Sequence, residues 1–323
     1  MNAVLLRMLQ ITFSASVLIA AVVMLRLLLL QGRVSRNVLL FLWLIVGIRL
    51  VVPVSIGSAL GVLPSFEGTE AEVAAVFSAN ILAPLIQPFR WQVLVLILYA
   101  GGVLAMLIYF AVSYVRLSLA VRKTTHIGWD VYLSDTMRGA FIFGISAPKI
   151  FLPAFLDESA RDAVIRHEQY HLAHRDHIWK PLAFFILALH WFNSLVWLAY
   201  ILFTRDLEFA CDERAVRDMS VEERKTYSET LLLLGSDSHP ISVQAVAFSE
   251  GNVEQRIKAV CRFQKPAVLL SIAAVVFAVV LGACAMTYRQ TDFPDVSGAP
   301  DYNETQVRAP EEGRETMKPE DRR

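Results

Sequence analysis

The sequence predicts a mostly α-helical, polytopic membrane protein in which four transmembrane helices carry a cytoplasmic α+β domain. Composition is the first observation, because 55% of the 323 residues are hydrophobic and only 19% are charged, against about half and about a quarter in soluble domains. The second observation is the presence of four long apolar runs, and the third is the placement of basic residues beside those runs. The 30 basic and 30 acidic residues balance, so no net charge favours nucleic acid as a direct partner.

Four apolar runs are long enough to cross about 30 Å of hydrocarbon as helices. They are Met8 to Leu25, a run beginning near Asn37, Trp91 to Val115, and Pro266 to Tyr288. Arg49 interrupts the second run, and a charge at that depth is costly unless it faces the bundle interior, backbone carbonyls or water.

Basic residues flank the runs asymmetrically, and an excess of positive charge marks the cytoplasmic side of a membrane. They are Arg26, Arg33, Arg36, Arg116, Arg122, Lys123, Arg256, Lys258, Arg262 and Lys265. The expected organisation is a three-span membrane region over 1–120, a cytoplasmic domain over 121–265, a fourth transmembrane helix over 266–288 and a disordered extracellular tail over 289–323. The N-terminus and the segment from about 57 to 90 then also lie outside.

The stretch HEQYH places His167, Glu168 and His171 in one predicted helix. Positions i and i+4 share a helical face, so both imidazoles can bind one metal ion while Glu168 polarises a water molecule. Ser159 and Asp162 form a predicted capping box that starts this helix. The alternative is a pair of surface histidines on a solvated helix.

A third metal ligand is expected from RDLEFACDERAV, where Glu208, Cys211 and Asp212 share one helical face. Two carboxylates at i and i+4 repel unless a cation lies near them. Glu208 is therefore the predicted zinc ligand and Asp212 the predicted acceptor for a ligand histidine N–H; the alternative is two exposed acids. His174 is expected to be solvated or to face the substrate.

The apolar run 181–204 is long enough to span a membrane once, yet a single crossing would separate Glu208 from His167. The polar stretch HWFNS interrupts its centre. The prediction is a helical hairpin packed at the membrane surface or under the active site, with Lys180 and Arg205 both at the cytoplasmic interface.

Upstream, GAFIFGISAPKIFLP has aromatic and β-branched residues between Gly and Pro, which favours a strand or hairpin. Phe141, Ile142, Phe143 and Gly144 form the candidate substrate-binding strand, since an edge strand can hold an extended peptide by main-chain pairing. A purely structural hairpin is the alternative.

With these motifs assembled, the chain resembles the bacterial β-lactam sensor-transducers and methicillin-resistance antirepressors, the BlaR/MecR-type membrane zinc metallopeptidases of the gluzincin type. The resemblance rests on FGISAPKIFLP, RHEQYHLAHRDHIWKP, HWFNSLVWLAY and RDLEFACDERAV. It implies a multi-pass protein of the bacterial plasma membrane with a cytoplasmic gluzincin-like domain, Zn²⁺ on His167, His171 and Glu208, and Glu168 as general base. It also implies cleavage of a winged-helix transcriptional repressor, often after self-cleavage, here within 245–260.

One departure from the family pattern bears on function. Those transducers carry a large extracellular penicillin-binding domain after the last span, whereas only a polar stretch follows here, so β-lactam sensing is not expected to carry over.

The sequence favours a zinc endopeptidase that relieves transcriptional repression, with a cytoplasmic protein substrate and the lipid bilayer as partners. The alternatives are a constitutive quality-control protease of membrane proteins and a non-catalytic, zinc-stabilised membrane receptor. The inducing signal, the scissile bond and the oligomeric state, a homodimer included, stay open.

Overall fold

The computed structural model describes residues 3–30, 34–52, 56–58, 63–64, 91–128, 130–137, 139–236 and 249–289. Most of the predicted external segment 57–90 and of the tail 289–323 lies outside these residues, as does 245–248 of the predicted self-cleavage region.

Helices make up most of the described chain. They are α1 (Ala3–Leu30), α2 (Arg36–Val51), α3 (Trp91–Ala120), α4 (Glu158–Ala173), α5 (Asp176–Leu189), α6 (Ser194–Ala215), α7 (Val221–Ser236), α8 (Ser249–Cys261) and α9 (Val268–Met286). Among them, the stretch Val93–Lys123 of α3 and the turn that follows it is long and apolar enough to cross a membrane, and Ile11–Leu27 and Val268–Cys284 are shorter apolar stretches.

Two small sheets complete the described structure. Strands β1 (Ile56–Ser58) and β2 (Leu63–Pro64) both pair in parallel with β7 (Thr287–Arg289). The second sheet has the order β3-β4-β6-β5 and is made of β3 (Thr125–Gly128), β4 (Val131–Ser134), β5 (Phe141–Phe143) and β6 (Lys149–Pro153). β5 is therefore an edge strand, antiparallel to β6.

The apolar stretch 181–204 forms a hairpin from the last part of α5 and the first part of α6, with its turn at 190–193. Asn193 starts α6 by accepting a hydrogen bond from the backbone N–H of Leu195 at 2.9 Å. At the same turn the Asn193 amide donates to Ser16 Oγ of α1 at 2.8 Å, and His190 Nε2 lies 3.2 Å from the carbonyl oxygen of Leu50 in α2.

One face of the hairpin contributes to the core of a helical bundle. The larger core cluster combines buried residues of α1, α2, α5 and α6 with Ala278 of α9, and its hairpin members are Phe184, Leu187, Val196, Ala199 and Leu202. The hairpin thus packs one apolar face against α1 and α2, while side chains of its other face, such as Leu182, Leu189 and Trp197, are exposed.

Arg49 is buried with 3% of its surface exposed, and it lies near the C-terminal end of α2 rather than at its middle. Its guanidinium donates to the carbonyl oxygen of Val52 at 3.2 Å. A backbone carbonyl thereby satisfies part of this buried charge, as expected for an arginine inside a bundle.

A second core cluster holds α4 against the sheet. Ile150 and Leu152 of β6 pack with Val164 of α4, and all three are buried. The helix begins with Asp157, whose carboxylate accepts from the backbone N–H of Ala160 at 2.8 Å. The predicted Ser159–Asp162 capping box is wrong, because the preferred N-cap residue Asp157 starts the helix two residues earlier and Ser159 lies in its first turn.

Candidate metal centre

His167 and His171 lie one helical turn apart on the buried face of α4. They are 7% and 5% exposed, and Glu168 beside them is 7% exposed. The two Nε2 atoms face each other at 3.0 Å. This arrangement follows from the i, i+4 spacing, which superimposes side chains on one face, and from Val164, which anchors that face in the core.

Glu208 of α6 completes a group of three. Its Oε2 lies 3.7 Å from His167 Nε2 and 3.6 Å from His171 Nε2. Three ligand atoms of a tetrahedral metal ion with bonds near 2.0–2.2 Å are about 3.3 Å apart. The structure thus brings together the three residues predicted as metal ligands, with separations suited to one ion.

Hydrogen bonds on the opposite side of each ring fix the histidine tautomers. His171 Nδ1 donates to Asp176 Oδ2 at 2.6 Å. The Tyr227 hydroxyl donates to Asp212 Oδ1 at 2.7 Å, so its oxygen accepts from His167 Nδ1 at 2.8 Å. Both Nε2 atoms are then left with lone pairs that point at each other and at a carboxylate, an arrangement that a cation stabilises.

The charges around the three ligand atoms also favour a divalent cation. By formal charge, with both histidines neutral as metal ligands are, this cluster contains two more carboxylates than basic side chains, and a metal ion of charge +2 would balance it. The six charged groups are Glu168, Asp176, Lys180, Glu208, Asp212 and Arg256.

Lys180 of α5 holds the other oxygen of Glu208. Its Nζ donates to Glu208 Oε1 at 2.9 Å, which leaves Oε2 for the side of the histidines. Burial alone would lower the pKa of Lys180, but the charge of Glu208 and their hydrogen bond raise it above the ordinary value. Burial would likewise raise the pKa of Glu208, yet the charge of Lys180 holds it well below its usual range. Glu208 is therefore an ionised, oriented ligand.

Asp212 does not serve as the direct acceptor that its spacing predicted. Its Oδ1 is 3.5 Å from His167 Nδ1, and the Tyr227 hydroxyl lies between them. For His171 the acceptor is Asp176 instead. The prediction that Asp212 supports a ligand histidine holds only through Tyr227, because α7 inserts this phenol between α4 and α6.

Two further residues near the site, Cys211 and His174, make different contacts. Cys211 is 1% exposed, and its Sγ lies behind the metal-facing atoms, 3.2 Å from His171 Nδ1. His174 lies in the turn after α4, where its Nε2 contacts Arg214 at an exposed position. The structure therefore groups Cys211 with His171 and Asp176, and it separates His174 from the three candidate ligands.

The edge strand β5 lies against α4. Phe141, Ile142 and Phe143 form it, and the Phe143 ring contacts Tyr114 of α3 with centroids 5.0 Å apart. Gly144 is not a strand residue, because its φ of 112° belongs to the turn that follows. The candidate substrate-binding strand is thus shorter by one residue than the sequence predicted, and among the described residues its outer edge has no paired strand.

Sequence reasoning missed Tyr227 and Arg256 and did not foresee the Lys180–Glu208 contact. Tyr227 and Arg256 come from α7 and α8, far from either motif in sequence, and neither stands in a spacing that predicts a metal site. Asp176 and Lys180 directly follow the HEQYH helix, so their proximity to the site was a usable signal.

Comparison with known proteins independently supports the interpretation of these residues as a metal site. Residues 6–260 match the family model described as BlaR1 peptidase M56. The chain is 27% identical over 158 residues to the regulatory protein BlaR1 of Bacillus licheniformis, which covers 46% of this chain and 26% of that protein. It is 23% identical over 133 residues to the methicillin resistance mecR1 protein of Staphylococcus aureus, which covers 39% of this chain and 23% of that protein. The chain thus spans about a quarter of the length of these curated relatives.

Proposed function

Because this chain belongs to the BlaR1 peptidase M56 family, we propose that it is a zinc endopeptidase whose metal ligands are His167, His171 and Glu208. The main observation behind the proposal is that two histidine Nε2 atoms and one carboxylate oxygen lie 3.0 to 3.7 Å from one another. Both histidines are buried, and both carry their hydrogen on Nδ1, so that each Nε2 can bind an ion. Two nitrogens and one oxygen suit zinc, which accepts such mixed donors and keeps a position open in catalytic sites.

Glu168 is the proposed general base and acid. Zinc, when bound, lowers the pKa of water and polarises a carbonyl. The Glu168 carboxylate takes a proton from the attacking water and passes it to the leaving amine. Its position supports this role, since it neighbours His167 on the buried face of α4 and lies close enough to Lys180 for its charge to raise the pKa of that ammonium.

An extended protein segment is the proposed substrate form. The free edge of β5 would add the substrate as a further strand, with main-chain hydrogen bonds supplying affinity. Phe141, Ile142 and Phe143 are the residues that would hold it. The contact between β5 and α4 supports this placement, because it brings such a strand beside the helix of the two histidines.

The proposed membrane arrangement has four transmembrane helices, α1, α2, α3 and α9, with the metal site on the cytoplasmic side. The basic residues that follow α1 and α3 and precede α9 support this orientation. So does the position of the α5–α6 hairpin, whose two ends carry Lys180 and Glu208 and whose turn contacts α1 and α2.

The proposed biological role is relief of transcriptional repression by cleavage of a cytoplasmic repressor. Two relatives are named as a regulatory protein and as a methicillin resistance protein, which supports a regulatory task for this chain. The inducing signal is not part of this proposal.

The test compares new protein N-termini in cells that express the full-length wild-type chain or Glu168→Gln. We expect the wild-type chain alone to generate new N-termini in a soluble DNA-binding repressor. New N-termini confined to membrane proteins would favour a quality-control protease instead, and identical N-termini in both strains would contradict an enzymatic role.

A further inference from the structure

Arg256 of α8 reaches into the candidate metal centre although it comes from outside both sequence motifs. Its side chain is 14% exposed. Nε donates to Asp212 Oδ2 at 2.7 Å and one terminal nitrogen donates to Oδ1 at 2.8 Å, so the guanidinium grips the carboxylate with two parallel hydrogen bonds. Forked pairs of this kind fix both partners in orientation.

The carboxylate of Asp212 connects Arg256 to the candidate metal ligand His167 through hydrogen bonds. Asp212 Oδ1 also accepts the hydroxyl hydrogen of Tyr227, whose oxygen accepts from His167 Nδ1. Burial would raise the pKa of Asp212, but the charge and hydrogen bonds of Arg256 lower it. Burial and the charge of Asp212 hold the pKa of Tyr227 well above its ordinary value, so its hydroxyl stays protonated. An ionised Asp212 thereby fixes the direction of every hydrogen bond up to His167.

Arg256 also faces the two candidate ligands directly. One terminal nitrogen lies 3.3 Å from Glu208 Oε2, and the other lies 3.3 Å from His167 Nε2. Lys180 holds the opposite oxygen of Glu208 at 2.9 Å. The carboxylate is thus held from both sides, by an ammonium on Oε1 and by a guanidinium beside Oε2.

We propose that Arg256 is a positioning residue of the metal centre: it orients His167 through Asp212 and Tyr227, and it orients Glu208 directly. Its helix is followed within a few residues by α9, so the chain that enters the last apolar helix also completes the site. The inference rests on the proposed function, because positioning has a purpose only if the three ligands bind an ion.

Positioning and simple electrostatics predict opposite results for the loss of this charge. A guanidinium beside the site repels a divalent cation, so an electrostatic role alone means that removing it tightens metal binding. If the residue positions ligands, removing it weakens binding, since partners that orient metal ligands typically contribute 10-fold to 100-fold in affinity. Lysine keeps the charge but cannot form the planar fork.

The experiment measures the zinc dissociation constant of the full-length protein in detergent, by competition with a chromogenic chelator. The variants are Arg256→Met and Arg256→Lys, and the matched control is Lys258→Gln. Lys258 lies two residues further along α8 and pairs with Glu254, and its side chain is 60% exposed. We expect about 30-fold weaker binding in Arg256→Met, about tenfold weaker binding in Arg256→Lys and an unchanged constant in Lys258→Gln.

A double variant tests whether Arg256 acts through Asp212. In an Asp212→Asn background the Arg256→Lys change should weaken zinc binding by about threefold or less, because the residue has lost part of its route to the ligands. The Co²⁺ absorption spectrum of each variant provides a second readout of ligand geometry.

Each outcome decides one statement. Wild-type protein that binds no zinc contradicts the proposed function itself. Wild-type protein that binds zinc, with Arg256→Lys and Arg256→Met at the wild-type constant or tighter, overturns the positioning role alone. If Arg256→Met fails to fold, the zinc dissociation constant of Arg256→Lys alone tests the positioning role. Equal losses of zinc affinity in Arg256→Lys and Lys258→Gln would also contradict the inference.

Discussion

Arg26 and Asp206 form a buried, two-pronged ion pair that joins α1 to α6 two residues before Glu208. The guanidinium of Arg26 lies 2.7 Å from Oδ1 and 2.9 Å from Oδ2 of Asp206, which has no exposed surface. Trp43 of α2 donates its indole N–H to the same carboxylate at 2.8 Å. One side chain of α6 therefore fastens two apolar helices to the helix that carries a candidate metal ligand.

Removing Asp206 should destabilise the bundle, because it leaves Arg26 buried without its partner. For Asp206→Ala we expect the free energy of unfolding to fall by about 3–5 kcal/mol, measured by denaturant unfolding in detergent. Asp218→Ala, at an exposed site just past α6, is the control. The double variant Arg26→Met with Asp206→Leu should be more stable than Asp206→Ala. Equal stability of Asp206→Ala and the control would refute this account.

Asp176 should matter for metal affinity although it is not a candidate ligand. Its carboxylate accepts the Nδ1 hydrogen of His171 at 2.6 Å, which makes Nε2 more electron-rich and holds the ring in place. In Asp176→Asn the neutral amide is a weaker acceptor, so we expect about tenfold weaker zinc binding in a chelator competition. Asp162→Asn, on the exposed face of the same helix α4, should bind zinc as the wild type does. Matching constants in the two variants would mean that Asp176 does not support His171.

Gly144 should be required for the edge strand. Its φ of 112° strains any other residue, and a Cβ there would lie 2.5 Å from the carbonyl oxygen of Ala147. For Gly144→Ala we expect a loss of about 1–3 kcal/mol in the free energy of unfolding, together with a higher KM for peptide substrates, since β5 ends at this turn. Gly139→Ala is the control, because a Cβ there meets nothing within 4 Å. A Gly144→Ala protein as stable as Gly139→Ala would contradict the strain argument.

Helical spacing was sufficient to choose the three candidate metal ligands. His167 and His171 share a face at i, i+4, and Glu208 was chosen because a second carboxylate, Asp212, stood one turn away. Both rules depend on local geometry, which an α-helix repeats faithfully. The metal-binding role of these residues stays a prediction until an ion is measured.

Contacts between distant segments were not predictable in this way. Tyr227 and Arg256 enter the site from helices whose sequences contain no metal motif, and only the packing of α7 and α8 against α4 and α6 brings them there. The hairpin was predicted from the need to keep Glu208 on the side of His167. The packing of one of its faces against α1 and α2 was not, because the sequence does not show which apolar helices pack together.

The most direct test is the zinc content of the full-length protein in detergent, measured together with its cleavage activity for four chains. They are the wild type, Glu168→Gln, Glu208→Ala and the control Glu229→Gln, which changes an exposed residue of α7. The account predicts about one zinc ion per chain in all but Glu208→Ala, with cleavage by the wild type and the control only. Full zinc occupancy in Glu208→Ala would contradict the ligand set, and undiminished cleavage by Glu168→Gln would contradict the mechanism.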